Sequence, residues 1–248
     1  MAQLLSIVEE TPDFIVVDKP GELVCHPTKD GPTSSLIGRL RLHLEGSEAE
    51  PRFVNRLDRE TSGLVVVSKN RPYHKLLCRQ MESARKVYWA VVEGCPAPQG
   101  LIDQPLGKDE GSAVVVKQAV RPDGRPSRTR WRVLASTGEA SLLEIELETG
   151  RMHQIRVHLA WLGHPLVGDK LYGADETLYL ELAERSWTAR LREALPTERQ
   201  LLTAMEIHTE THCWTIPPPA DLLGYRAWEL PVTPIRASRP AAGRTDPS

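Results

Sequence analysis

Short β-branched runs punctuate the chain, and between them apolar residues recur at helical spacing. Phe14–Asp18 reads as a short buried strand, and the apolar, β-branched run Leu64–Val67 as another. Leu23–Cys25 predicts a second strand, paired with the first as a hairpin through Lys19-Pro20-Gly21. From Lys86 to Gly94 the side chains alternate, with Tyr88, Ala90 and Val92 on one face and Val87, Trp89 and Val91 on the other. Arg128–Leu134 alternates Thr129, Trp131 and Val133 with arginines, a half-buried strand with one basic face; Ser141–Leu147 and Val114–Val116 read as further strands. Helical period appears over Ser34–Leu44, which Thr33–Ser35 can cap. It returns over Arg71–Ser83 behind Asn70 and Pro72, with Tyr73, Leu76, Leu77 and Met81 inward. Met152, Ile155, Leu159 and Leu162 fall on one face of a helix after Gly150, and Leu178–Leu195 forms an acidic helix or helix pair. Cys95–Gly111 and Ala119–Ser127 read as loops, Ala204–Thr215 as strand, and Pro231–Ser248 as a poorly ordered tail. Strands arriving in meander order with few helices predict an α+β fold with a largely antiparallel sheet.

Composition is that of an ordinary globular protein: 248 residues, 40% apolar and 26% charged. No stretch approaches the roughly 20 apolar residues of a membrane span, and Met1–Glu10 lacks the pattern of a signal peptide. Cys25, Cys78, Cys95 and Cys213 are scattered, which suits reduced, mostly packed thiols in a cytoplasmic protein. The net charge of −2 argues against a nucleic-acid binder until its distribution is read. Nine Lys and Arg against three acids lie between Pro51 and Ala90, and six against one between Lys117 and Arg132. Between Ala174 and Glu210 four arginines meet eight acids. This predicts a basic face for a polyanion, with the acidic segment turned away.

One stretch stands out as chemistry. Phe53–Asn70 places Asp58 between Arg56 and Arg59 on a loop that feeds the Leu64–Val67 strand, with Thr61-Ser62-Gly63 as a tight turn. Flanking cations would hold the carboxylate ionised; the plain alternative is a surface turn with a local ion pair. Metal chemistry finds little support. His153 and His158 are five apart without an accompanying Glu, and His208, His212 and Cys213 lie in a strand-like segment that lacks a fourth ligand.

The order of residues adds a resemblance. Arg56-Leu57-Asp58-x-x-Thr61-Ser62-Gly63 resembles the signature of the RluA-type pseudouridine synthase family, with Asn55 where His is usual. Val16–Gly21 through His26-Pro27 resembles that family's opening, and Lys86-x-Tyr88-x-Ala90-x-Val92-x-Gly94 its second motif. Gly150-Arg151-Met152-His153-Gln154-Ile155-Arg156 resembles the third, with Met152 replacing Thr or Asn, and Gly163–Asp169 continues the pattern as a structural turn. The likeness covers about Phe14–Gly173. It implies an α+β pseudouridine synthase fold: a mixed, mostly antiparallel bent sheet flanked by helices and loops. Residues 1–235 would form the catalytic domain and 236–248 the tail. No separate N-terminal RNA-binding domain is expected, because the core begins almost at Met1.

The implied reaction isomerises uridine in ribosomal or transfer RNA, in a monomer that needs neither metal nor cofactor. By the resemblance Asp58 is the nucleophile, Arg156 pairs with it, Tyr88 stacks on the base or moves a proton, and Ile155 walls the detached uracil. Arg56 would grip phosphate or fill the space of a flipped nucleotide; Arg121, Arg125 and Arg128 would hold RNA. Two rivals stand beside this. A non-catalytic RNA-binding protein should have lost Asp58, Tyr88 or Arg156, and all three are present. A glycosidase needs a second carboxylate, for which Glu60 is the neighbour at hand.

Overall fold

The computed structural model describes residues 4–228 apart from positions 28, 174 and 227, so the proline-rich tail at 236–248 and the 235/236 boundary lie outside the described residues. In chain order the elements are β1 (Ser6–Glu10), β2 (Phe14–Lys19), α1 (Leu36–His43), β3 (Arg52–Phe53), β4 (Ser62–Ser68), α2 (Arg71–Ser83), β5 (Arg85–Glu93), β6 (Gln99–Asp103) and β7 (Leu106–Lys108). They continue as β8 (Gln118–Val120), β9 (Arg128–Ser136), β10 (Ala140–Leu147), α3 (Gln154–Trp161), α4 (Thr177–Arg185), α5 (Ala189–Ala194), β11 (Leu202–His208), β12 (Cys213–Thr215) and α6 (Ala220–Gly224). One sheet runs β1-β2-β4-β11-β5-β10-β9-β6, with β3 on β4 and β12 on β11, while β7 and β8 form a small second sheet. β4 and β11 pair parallel and the other pairs are antiparallel, which is the mixed α+β architecture expected.

Alternation on the strands decides where the core sits. On β2 and β4, Ile15, Val17, Val65 and Val67 meet Leu36 and Leu40 of α1, while Val16, Leu64 and Val66 meet Leu77 and Met81 of α2. Both faces are therefore buried, which is why these two strands read as continuous apolar runs. Each such side chain contributes about 1.5–3 kcal/mol on leaving water. On β5, Ala90 and Val92 join one cluster with Ile145, Ile155 and Leu159, and Val87, Trp89 and Val91 join another with Leu142 and Met205. The helices are capped as their sequences foretell: Ser35 accepts from the Gly38 N–H and Asn70 from the Tyr73 N–H, contacts worth about 1 kcal/mol each.

Several expectations are corrected. Thr61-Ser62-Gly63 is not a free turn: Ser62 and Gly63 open β4, with Gly63 at φ 107. A Cβ there would lie 2.2 Å from the Ala204 carbonyl oxygen, so only glycine lets β4 and β11 pair. Val24 makes a single bridge to Ser35, so Leu23–Cys25 forms no hairpin with β2. Val114–Val116 is irregular, with Val115 73% exposed, and the supposed loop at 95–111 contains β6 and β7. Leu76 and Met152 lie exposed rather than inward, and so do two of the four cysteines, Cys95 and Cys213.

Candidate active site

Asp58 sits on the loop joining β3 to β4, and that loop is fastened on both sides. Before it, the Asn55 carboxamide mimics a strand, donating to the Leu64 carbonyl at 3.1 Å and accepting from the Val66 N–H at 2.8 Å. After it, the Arg59 carbonyl accepts from the buried Lys19 ammonium at 3.0 Å, which also donates to the carbonyls of Pro20 and Leu23. Burial lowers the Lys19 pKa to about 8, and three carbonyl acceptors fully occupy its protons. Glu60 takes the Lys170 ammonium at 2.9 Å and the Gln200 N–H at 3.0 Å. That carboxylate is spent on structure, which removes the second acid a glycosidase would need.

The cation on Asp58 is not one of its chain neighbours. Arg56 turns to the His26 ring, and Arg59 is exposed without a carboxylate partner among the described residues. Instead the Arg156 guanidinium, from α3, donates to Asp58 Oδ2 at 3.1 Å. Its other edge makes a two-pronged pair with Asp169, at 2.8 and 2.9 Å, and Asp169 Oδ1 also accepts the N–H groups of Leu171 and Tyr172. The guanidinium lies 4.9 Å over the Tyr172 ring. Burial opposes the charge on Arg156, yet Asp169 and then Asp58 outweigh it and raise its pKa; burial likewise opposes Asp169, which Arg156 and two N–H donors hold well below the usual carboxylate range.

Tyr88 and Ile155 line the same cleft as Asp58 and Arg156. Burial, and then the Asp58 charge, push the Tyr88 phenol up, so it stays protonated at neutral pH. Its hydroxyl has no hydrogen-bond partner among the described residues. Ile155 is buried beside Tyr88 in the core beneath the cleft.

The second basic block behaves otherwise. Arg121 is held by Glu110 and Asp123, Arg128 by Glu148 and Asp103, Arg130 by Glu148, Arg132 by Glu144, and Lys117 by Glu176. Such exposed pairs add little stability, but each sets a carboxylate against the cation's charge. The acidic segment does not face away either: Glu176 lies against Lys117, and Tyr179 and Leu180 pack against the same buried cluster as Val120. Among the described residues Arg125 has no carboxylate partner, and it lines a groove continuous with the Asp58 cleft through Arg151 and Met152. The histidines of the metal question diverge. His158 is buried between Thr129 and the Gln104 carbonyl, His212 stacks on Trp214, and His208 bonds Glu206.

Residues 13–161 match the family model for RNA pseudouridylate synthases. The chain belongs to this family. It is 40% identical over 217 residues to an uncharacterized RNA pseudouridine synthase of Chloroflexus aurantiacus, covering 83% of this chain and 63% of that protein. It is 38% identical over 190 residues to ribosomal large subunit pseudouridine synthase D of Zymomonas mobilis, covering 73% and 59%. The chain thus spans about three fifths of the length of these relatives. Among solved structures, human RNA pseudouridylate synthase domain containing 1 superposes with a TM-score of 0.68 at 26% identity, over 92% of this chain and 90% of that one. Human RNA pseudouridylate synthase domain containing 4 gives 0.69 at 23% identity, over 91% and 94%, which speaks to the fold alone.

Three residues around the Asp58–Arg156 pair carry little sequence signal of their place there. In the sequence Asp169 reads as part of a turn, His153 only as a candidate metal ligand, and Tyr172 carries no signal. Asp169 lies thirteen residues from Arg156, a separation with no helical or strand period to betray a pair. Arg151, on the rim of both grooves, was visible only as one letter of the third motif.

Proposed function

We propose that this chain isomerises uridine in RNA to pseudouridine, with Asp58 acting at the sugar of the target nucleotide. The observation that carries the reading is the convergence of Asp58, Tyr88, Ile155 and Arg156, drawn from a loop, a strand and a helix, on one cleft. The reaction breaks the N1–C1′ bond and forms C5–C1′, and the C5 proton leaves as N1 gains one. Nothing is oxidised and no group is donated, so the balance calls for neither cofactor nor metal. The demand is on charge at C1′ while the bond is open, and a carboxylate fixed by a guanidinium meets it. Tyr88, kept as a phenol, stacks on the base or hands over a proton, and Ile155 keeps the freed uracil from turning out of the cleft.

Phosphates would be held by Arg56, Arg59, Arg125 and Arg151, none of which pairs with a carboxylate among the described residues. Arg121 and Arg128, with their acidic partners, would shape the groove rather than grip. The relatives named for the ribosomal large subunit favour ribosomal over transfer RNA; the chain would work as a monomer in the cytoplasm. Mapping pseudouridines across total RNA with and without the gene tests this. The expected result is loss of at least one pseudouridine, restored by the wild-type gene and not by Asp58→Asn. An unchanged map overturns the reading.

A further inference from the structure

His153 is held in a way that neither the pairing of Asp58 with Arg156 nor the needs of α3 accounts for. It stands at the N-terminal boundary of α3 in the left-handed region, φ 55 and ψ 18, and its side chain caps nothing. A non-glycine residue stays there only when its surroundings enforce it. The surroundings are explicit. His153 Nδ1 lies 2.8 Å from the Tyr172 hydroxyl, and the two rings meet edge to face at 5.6 Å. Tyr172 is itself fixed, by Arg156 over its face and by its own N–H on Asp169.

The hydrogen bonds then decide where the imidazole proton sits. The Tyr172 oxygen accepts the Gln118 N–H, from β8, at 2.9 Å. Its single proton finds no acceptor among the described residues other than His153 Nδ1, which takes it. Burial and the charge of Arg156 lower the His153 pKa to about 4, so the ring is neutral at physiological pH. A neutral ring with an unprotonated Nδ1 carries its hydrogen on Nε2. That N–H lies 3.9 Å from Asp58 Oδ2, in the cleft.

A separation of 3.9 Å is too long for a direct bond. It suits one oxygen between the two: a group about 2.8 Å from each subtends roughly a right angle at that oxygen. The donor is on one side and the acceptor on the other, so the group that fits both accepts and donates, which is what a hydroxyl does. We propose that His153 Nε2–H and Asp58 Oδ2 together bind the ribose 2′-hydroxyl of the target nucleotide, making His153 a residue that distinguishes ribose from deoxyribose. This rests on the reading that Asp58 acts beside C1′, because the hydroxyl on the carbon next to C1′ is the 2′-hydroxyl. Tyr172 and the Gln118 N–H act through His153, as positioning groups that set its proton.

The test uses the full chain with uridine 5′-monophosphate and 2′-deoxyuridine 5′-monophosphate as probes, titrated to millimolar concentration and followed by calorimetry and by ¹⁵N shifts of labelled histidine. Loss of one such hydrogen bond corresponds to about a threefold to tenfold change in dissociation constant. The wild-type chain should prefer the ribonucleotide by that factor, with Nδ1 unprotonated and Nε2 protonated at neutral pH. His153→Asn keeps a residue that tolerates the left-handed backbone and should bind the two nucleotides equally. Tyr172→Phe should release the tautomer and narrow the preference. Equal binding by the wild-type chain, binding of neither nucleotide, an Nδ1-protonated ring, or a preference that survives His153→Asn would each overturn the inference. Pseudouridine formation in RNA remains the separate test of the reading beneath it.

Discussion

Asp169→Asn is the change whose consequences the structure specifies most closely. The Asp169 side chain is wholly buried and spends both oxygens on Arg156, while Oδ1 also accepts two backbone N–H groups. Asparagine keeps the shape, and its oxygen can still take the N–H groups of Leu171 and Tyr172. It loses the charge and turns one acceptor into a donor facing the guanidinium. Arg156 is then left buried with only the half-buried Asp58 as counter-ion. Removing one partner of a buried pair costs about 3–5 kcal/mol, because a charge remains unmatched. Against a total stability of roughly 5–15 kcal/mol, the variant should fold but be fragile. Urea unfolding followed by tryptophan fluorescence and circular dichroism should show a lower midpoint with an unchanged slope. The cause is separable from the lost contacts. Asp169→Asn combined with Arg156→Met removes the stranded guanidinium and should regain about 2 kcal/mol. Single-turnover conversion of saturating RNA should fall about a hundredfold in Asp169→Asn, the usual cost of misplacing a reacting group by about an ångström. A single variant within about 1 kcal/mol of wild type, or a double variant no more stable than the single, would refute the claim that Asp169 exists to balance Arg156.

Asp58→Asn should abolish pseudouridine formation in the purified protein while RNA binding and the urea midpoint persist; retention of a tenth of wild-type turnover would exclude Asp58 as the acting group. Charge reversal at Arg125 and Arg151 should weaken RNA binding and flatten its dependence on salt, whereas reversal at Arg121 and Arg128 should do less, because carboxylates already neutralise them; equal effects on the salt slope would refute the division. Acid should destabilise the fold through His153, since its folded pKa of about 4 lies below the ordinary 6.5. The unfolded chain then binds more protons across that window, and stability falls by up to about 3 kcal/mol as the pH drops through it; His153→Asn should remove this leg of a urea-midpoint profile, and an unaltered profile would count against the buried neutral ring.

The elements were legible wherever one residue's environment follows from its neighbours in sequence. The faces of β5, the existence of β2 and β4 as buried strands, and the caps at Ser35 and Asn70 depend on alternation, on short apolar runs and on a local side chain. The failures share a cause. Leu23–Cys25 has strand composition but meets Ser35 rather than a hairpin partner, and Gly100 and Gly107 made a loop of residues that β9 and β8 recruit as strands. Pairing across the chain, not propensity, decided those segments.

The charges show the same limit more sharply, and it bears on mechanism. Counting arginines between Lys117 and Arg132 predicts a basic face, but a strand alternates, so each of those arginines stands beside whatever the neighbouring strand presents. Glu144 and Glu148 come from β10 and the turn after it, and Glu176 from the start of α4. Around Asp58 the bias runs the other way. Its chain neighbours Arg56 and Arg59 look like its partners and are not, while Arg156, ninety-eight residues on, is. The separation has a functional logic. Were Asp58 held by its own neighbours, its position would be set by the loop alone. Bound to a guanidinium that Asp169 locks into the protein interior, the carboxylate is referred to the core, while Arg56 turns to His26 and Arg59 keeps no carboxylate partner among the described residues.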